Sequence, residues 1–297
     1  MRVLVCGANG FIGSRIEQSL IRDGHHVVRG VSRRKALGAS DVAIDYSADI
    51  QPEAWSQRLE GVDAVVNAIG VLRDSRSRPI QRVHEAAPKA LWQACAQSGV
   101  QRVVQISALG VADSQTVYAQ TKRAADDSLL ALADQQKLSA VVVRPSVVFG
   151  RGGASSALFM ALAQVPLLVL PAPMTTARVQ PVAVQDLADG VAKLLGEHMG
   201  ASGIVSAVGA HEVGMSDWIA SLRQQLGKSR AWMWPLPMPL TRLSARLGDA
   251  VPGVPWCSET LAMLGSDNVA PVGPWQQILG REPVAAEALV ENAWRRP

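Results

Sequence analysis

The chain opens with Arg2-Val3-Leu4-Val5-Cys6-Gly7-Ala8-Asn9-Gly10-Phe11-Ile12-Gly13. Its largely apolar run Arg2–Cys6 reads as a strand. Three glycines follow at the spacing Gly-x-x-Gly-x-x-Gly, and Phe11–Arg22 then carries a helical pattern. Glycine at such a turn allows positive φ and close approach of a ligand to the backbone. A helix beginning there offers free N–H groups and a positive dipole end to phosphate, and a glycine at position 13 lets helix and strand pack closely. Alone, the motif would be a tight turn. Between a strand and a helix it points to the diphosphate of a dinucleotide.

Strand-like runs recur at His26–Val31, Val42–Ile44, Ala64–Asn67, Arg102–Ile106 and Ala140–Arg144, separated by helical patterns over Phe11–Arg22, Pro52–Leu59, Pro79–Ser98 and Val117–Gln136. Nearly all-apolar strands joined by crossovers of helical length form a parallel sheet covered on both faces. The expected fold class is α/β, a Rossmann doubly wound parallel sheet with a smaller C-terminal substrate-side subdomain. Residues 1–150 form the dinucleotide-binding domain and 151–297 the substrate-side region, with about 175–210 returning to the Rossmann core. Val182–Gly196 reads as a strand end running into a helix, Gly203–Val208 as a strand, and Met215–Leu226 as a helix with Ser216 as its N-cap.

The bulk numbers exclude several classes. Of 297 residues, 48% are hydrophobic and 18% charged, an ordinary globular balance. The net charge of +4 is spread without a basic block, so no nucleic-acid arm is expected. Cys6, Cys95 and Cys257 have no zinc or redox spacing and suit a reducing, cytoplasmic setting, with Cys6 and Cys95 expected as core thiols. No histidine pair has metal-ligand spacing, and no metal is expected. Met1–Cys6 runs straight into the glycine loop, so no secretory leader is expected. Ala157–Met174 is the most apolar stretch, but Gln164, Pro166, Pro171 and Pro173 break it, which favours a helix and a buried strand over a membrane span. Three prolines forbid a regular helix over Trp232–Leu240. That segment, with Trp256 and Trp275, suits either core packing or an apolar pocket or membrane-facing patch. Core packing is the expectation, since Trp is usually well buried.

At the end of the second strand, an acidic residue would bond a ribose 2′-hydroxyl, whereas arginine would pair with a 2′-phosphate. The chain reads Ser32-Arg33-Arg34 there. NADP(H) is therefore the preferred cofactor, with NAD(H) the alternative. Tyr118 and Lys122 lie one helical turn apart and share a face.

These residues together resemble the extended short-chain dehydrogenase/reductase superfamily, also described as NAD(P)-dependent epimerase/dehydratase-like. The resemblance covers about residues 1–210. It implies that Gly7, Asn9, Gly10, Phe11, Ile12 and Gly13 hold the diphosphate and that Ser32, Arg33 and Arg34 face the adenosine ribose. It further implies that Asp45 and Tyr46 contact adenine, and that Ala68, Ile69 and Gly70 lie beside the ribose and diphosphate. Pro145, Ser146 and Val147 would line the nicotinamide site. Tyr118 would be the proton donor, Lys122 its electrostatic support and ribose ligand, and Ser107 the hydroxyl that orients a carbonyl; all three would also touch the cofactor. Such a superfamily usually carries a Ser or Thr just after the fifth strand, where this chain has Ala108 and Leu109. Ser107, or Ser114 or Thr116 from the following loop, would have to serve, or the group is missing. His84 reads as a structural histidine. Arg178 is a weak substrate-anchor candidate.

The short loop before Tyr118 and the segments Arg144–Gly150, Gln180–Ala188, Met263–Val269 and Leu279-Gly280 resemble an atypical branch. Its type is the nucleotide-binding accessory subunit of respiratory complex I, with its bacterial relatives. Some members of that branch are catalytic and others hold NADPH as a structural part. The reading leans to an oxidoreductase acting on a small or isoprenoid/quinone-like carbonyl. A non-catalytic NADPH-holding or redox-sensing protein is the alternative, and a sugar-nucleotide epimerase or dehydratase a weaker one. A small-molecule substrate is expected and nucleic acid is not. Association with a quinone or respiratory pathway, or with the inner face of a membrane, stays open, as does the oligomeric state.

Overall fold

The computed structural model describes residues 1–32, 38, 40–198, 200–251, 256–264 and 266–295. Arg33, Arg34 and Gly265 lie outside the described residues. The chain divides into two compact units. The first comprises Met1–Val111, Val117–Arg144 and Leu187–Val205, and the second Ala112–Thr116, Pro145–Asp186 and Ser206–Pro297.

The first half of the chain alternates as the apolar runs require: β1 (Arg2–Cys6), α1 (Phe11–Arg22), β2 (His26–Ser32), β3 (Asp41–Ile44), α2 (Glu53–Ser56), β4 (Ala64–Asn67), α3 (Ala87–Gln97), β5 (Arg102–Ile106), α4 (Val117–Asp134) and β6 (Ser139–Pro145). A π-helical turn, Arg82–Ala86, opens α3. After β6 come β7 (Val148–Phe149), α5 (Ala154–Leu162), β8 (Leu167–Pro171), α6 (Ala172–Thr176), β9 (Arg178–Val179), β10 (Val182–Ala183), α7 (Val184–Leu194) and β11 (Gly203–Ala207). The chain closes with β12 (Val213–Gly214), α8 (Met215–Gln225), β13 (Trp232–Leu236), α9 (Met238–Asp249), α10 (Ser258–Met263) and α11 (Gly273–Leu279).

Seven strands form the main sheet in the order β11-β6-β5-β4-β1-β2-β3. Every adjacent pair from β3 to β6 is parallel. The order reverses between β1 and β4. In open α/β sheets the crevice beyond the strand ends at such a reversal is where ligands bind. Leu4, Val65 and Val103 face a core that also buries Trp55, Leu91, Trp92 and Leu129. The returning segment is fastened to α1 through Asp189, which accepts from Ser19 Oγ at 2.9 Å and from Arg22 Nη2 at 2.7 Å.

The second unit has its own core, in which Phe149 meets Trp218 edge-on at 5.8 Å and Phe159 lies 4.4 Å from the same indole. Three segments singled out by sequence are knitted together there. Ser146 Oγ donates to the carbonyl of Asn268 at 2.9 Å, the N–H of Gln180 donates to Ser146 Oγ at 3.3 Å, and Gln180 Oε1 accepts from the N–H of Ala270 at 3.1 Å. Asp186, expected near the start of a helix, is buried and accepts from Arg281 Nη2 and the N–H of Val284.

Three local expectations are corrected. The α8 N-cap is Gly214, one residue earlier than the expected helix start, and Ser216 lies inside the helix. The strand within Ala157–Met174 is not fully buried: β8 alternates, with Leu167 and Val169 outward. Trp232 and Trp234 are not core residues, being 74% and 62% exposed, whereas Trp275 is fully buried. Among the described residues no helix is long and apolar enough to cross a membrane.

Phe149→Ala should cost about 3–5 kcal/mol, the loss expected for deleting a buried aromatic that leaves a cavity. Urea unfolding would measure it, and a cost below about 1 kcal/mol would show that this cluster can collapse.

Candidate dinucleotide site

The glycine loop is shaped by contacts that exclude side chains. Gly7 has φ +87°, and its N–H donates to the carbonyl of Gly30 on β2 at 2.9 Å. A Cβ at Gly13 would lie 2.1 Å from the carbonyl oxygen of Gly7, closer than any nonbonded contact allows. That approach brings the start of α1 directly onto the end of β1. Gly10 is the N-cap of α1 and has no side-chain cap, and the first turn holds no acidic residue. The first helical N–H groups are therefore turned outward without a side-chain acceptor, as an anion site needs. Arg29 braces the loop by donating to Asn9 Oδ1 at 2.7 Å while pairing with Glu17 and Asp41 at 2.8 Å.

Beside this loop is a cavity of about 500 Å³, within the range of small-molecule and cofactor sites. Of the expected residues, Gly7, Asn9, Gly10, Ser32, Asp45, Tyr46, Ala68, Ile69 and Gly70 line it. Gly13 is buried behind the loop, and Phe11 and Ile12 begin α1 half-buried. Tyr46 is almost wholly buried: its hydroxyl donates to Asn67 Oδ1 at 2.9 Å, and Asn67 Nδ2 donates to Gln105 Oε1 at 2.8 Å. Asp45 Oδ1 accepts from both the N–H and the hydroxyl of Ser47. Gly30, Ser77 and Arg78 also line the cavity and were not singled out by sequence. Gly30 faces it from mid-strand, and Ser77 and Arg78 belong to a loop with no motif. Bare backbone, an uncapped helix start and a cavity of this size fit a pyridine dinucleotide.

A second group of residues sits at the end of β5. Lys122 is buried, and its Nζ donates to the carbonyl of Ile106 at 3.0 Å. Burial pushes its pKa down to about 8, partly opposed by Asp126. A Cβ at Gly70 would come within 3.4 Å of Lys122 Nζ and 3.6 Å of His84 Nε2, so glycine leaves the approach to the ammonium open. Tyr118, half-buried on α4, meets the His84 ring edge-on at 5.2 Å. His84 Nε2 accepts from the N–H of Val71 at 2.9 Å, which assigns the ring proton to Nδ1, facing Thr121 Oγ1 at 3.3 Å. Burial and the neighbouring Lys122 charge hold this histidine neutral, its pKa pushed down to about 2. Both ring nitrogens of His84 therefore have partners within the protein.

Ser107 is placed differently from its expected role. Its hydroxyl donates to Asp126 Oδ2 at 2.7 Å, and Arg144 Nη2 donates to the same oxygen at 3.1 Å. Asp126 is fully buried, and burial raises its pKa despite Ser107, Arg144 and Lys122. In this geometry the Ser107 proton is directed to a carboxylate, not toward a substrate oxygen. Sequence gave no sign of Asp126, because nothing local distinguishes it from any helix acid. Pro145, Ser146 and Val147 belong to the second unit, where Ser146 Oγ is engaged with Asn268 and Gln180. Arg178, the weak anchor candidate, spends its guanidinium on Asp267 and Glu212. Among the described residues no cluster of His, Cys, Asp or Glu could hold a metal.

Sheet order, glycine loop and the Tyr118–Lys122 helix define a Rossmann-type NAD(P)-binding protein of the extended short-chain dehydrogenase/reductase kind. The chain belongs to the NAD dependent epimerase/dehydratase family, whose model matches residues 3–209. It is 24% identical over 264 residues to a UDP-glucose 4-epimerase of Vibrio cholerae, covering 80% of this chain and 79% of that one. It is 28% identical over 198 residues to a ceramide reductase of Caulobacter vibrioides, covering 63% of this chain and 58% of the relative. Among solved structures, a nucleoside-diphosphate-sugar epimerase from Staphylococcus aureus superposes with a TM-score of 0.74 at 17% identity, covering 98% of this chain and 100% of that one. MoeE5 in complex with UDP-glucuronic acid and NAD superposes with a TM-score of 0.70 at 20% identity, covering 98% and 97%.

Two outcomes follow. A pyridine dinucleotide should raise the melting temperature of the wild type, and Gly13→Ala should abolish that rise, because the loop must open to admit the methyl group; an undiminished shift would contradict the close-packed loop. Lys122 gives a pH signature. With the folded pKa near 8 and the ordinary value at 10.5, only the unfolded chain holds the proton between those limits. Wild-type stability relative to Lys122→Met should therefore rise with pH across that window, by at most about 1.4 kcal/mol per unit, and should be flat below it. Denaturant unfolding of both proteins at pH 7, 8.5 and 9.5 would reveal it, and a constant difference would show that Lys122 is not desolvated.

Proposed function

We propose that the protein is an NADP(H)-dependent oxidoreductase that transfers hydride to or from a carbonyl on an apolar, isoprenoid- or quinone-like compound. The observation that carries this reading is Tyr118 one turn from a buried Lys122 at the end of β5, in the unit that also holds the glycine loop. Bound NADPH would supply the hydride. Tyr118 gives its phenolic proton to the carbonyl oxygen in reduction and takes it back in oxidation. The Lys122 ammonium, desolvated and close to Gly70, favours tyrosinate by its charge and lowers the cost of that transfer. Proximity of Lys122 to Gly70 also suits a ribose hydroxyl bond.

Preference for NADP(H) is supported by Ser32-Arg33-Arg34, which places two guanidinium groups and no carboxylate after β2. The apolar substrate class is supported by the relative named ceramide reductase. One observation favours a second reading, a protein that holds NADPH without turnover: the Ser107 hydroxyl is committed to Asp126, and no hydroxyl follows it at Ala108 or Leu109. Epimerization of a sugar nucleotide is a third reading, suggested by the Vibrio relative's name and opposed by the basic residues after β2.

Tyr118→Phe should bind NADPH with unchanged affinity, read by quenching of protein fluorescence, and lose about 10²–10⁴ of its turnover on long-chain ketones and quinones. NADH should bind more weakly than NADPH. Equal turnover in the variant would overturn the role of Tyr118. Absence of turnover in the wild type, with NADPH tightly held, would establish the second reading. Conversion of UDP-sugars with tightly held NAD would establish the third.

A further inference from the structure

In the second unit, β8 and β13 form a two-stranded parallel ribbon in the register Leu167↔Trp232, Leu168↔Met233 and Val169↔Trp234. Side chains alternate across a ribbon. Leu168 and Leu170 turn into the core, which leaves Leu167, Val169, Trp232 and Trp234 on the opposite face, each more than half exposed. The solvent face of such a ribbon is ordinarily polar. Here neither strand contains a polar residue, Leu-Leu-Val-Leu-Pro pairing with Trp-Met-Trp-Pro-Leu.

The next element continues the pattern. Along α9, Leu240, Leu243 and Leu247 follow one another at intervals of three and four, so they share a face, and all are exposed at 52–64%. Arg242 and Arg246 sit beside them, one turn apart and exposed. Lys228 and Arg230 precede the ribbon strand and are exposed as well. Residues 226–251 hold four basic residues and one acid, Asp249. Asp249 is engaged with Ser258. None of the four cations makes an ion pair with a described residue. Cations with no ion pair to a described residue, set around exposed indoles and leucines, are complementary to an apolar interior edged with negative charge. Interfacial Trp and Lys/Arg beside leucine are the composition of segments that lie in the headgroup layer.

We propose that the β8–β13 ribbon and α9 dock the protein peripherally on an anionic lipid bilayer. The indoles of Trp232 and Trp234 enter the interface, and Lys228, Arg230, Arg242 and Arg246 meet the lipid phosphates. No part of the chain spans the bilayer in this arrangement. The docking does not depend on which reaction the protein performs, and its test contains no turnover measurement.

The test is co-sedimentation of the full chain with vesicles of phosphatidylcholine alone and of phosphatidylcholine with 30% phosphatidylglycerol, the latter at low and high salt. Wild type should partition to the anionic vesicles at least roughly tenfold more strongly than to the neutral ones, and 0.5 M salt should remove most of that excess, since exposed charges are screened within a few ångströms. Trp232→Ala/Trp234→Ala should lower partitioning to anionic vesicles by roughly tenfold or more, and Arg242→Gln/Arg246→Gln should lower only the anionic excess. All four positions are exposed, so both variants should keep the wild-type circular dichroism and NADPH affinity, which separates a docking defect from misfolding. No binding to anionic vesicles, or equal binding by wild type and the tryptophan variant, would overturn the proposal. So would light scattering that shows a wild-type dimer dispersed by the tryptophan substitutions without vesicle binding, which would assign the face to a second copy of the chain.

Discussion

Between Gly13 and the carbonyl oxygen of Gly7 there is no room for a side-chain carbon. This single approach sets where α1 begins, which amides are left without partners, and where the cavity beside β1, β2 and β4 opens. The sheet supplies the rest of the geometry. Reversal of strand order between β1 and β4 parts the crossovers above the loop. Arg29, bonded to Asn9, Glu17 and Asp41, ties loop, helix and the outer strand into one frame. A dinucleotide site built this way uses backbone for its affinity, so most of its side chains are free to vary.

The end of β5 shows the opposite economy, with charged groups placed where water is scarce. Lys122, Asp126 and Arg144 are all buried, and Ser107 and the Ile106 carbonyl complete their hydrogen bonds. Breaking such a set by removing one member leaves an unpaired buried charge, typically worth about 3–5 kcal/mol. Its members therefore hold α4 against β5 and β6 as well as presenting Tyr118. The same burial that lowers the lysine pKa keeps His84 neutral, so a single ammonium dominates the electrostatics beside Gly70.

Much of this was legible in the chain. The strands of the main sheet are short apolar runs whose periods and glycine boundaries leave little choice, and the glycine spacing names its own ligand through backbone geometry. The shared face of Tyr118 and Lys122 was legible from helical spacing, whereas their candidate roles came only from the family resemblance. Asp126 was not legible, because its meaning comes from Arg144 on β6 and Ser107 just past the end of β5. The orientation of Ser107 depends on that same distant pairing. Trp232 and Trp234 misled for a compositional reason: indoles are usually buried, and only the strand register with Leu167 and Val169 shows that they point away from the core. Arg78 entered the cavity wall from a loop with no periodic signal.

If the amides at the start of α1 hold the diphosphate of a pyridine coenzyme, the electron density of a crystal grown with NADPH will show it. Density for the diphosphate within hydrogen-bond distance of the Phe11 and Ile12 N–H groups, with the nicotinamide ring reaching toward Lys122, is the expected result. A fully occupied coenzyme bound elsewhere, or crystals that take up no dinucleotide with the Gly7–Gly13 loop intact, would contradict it.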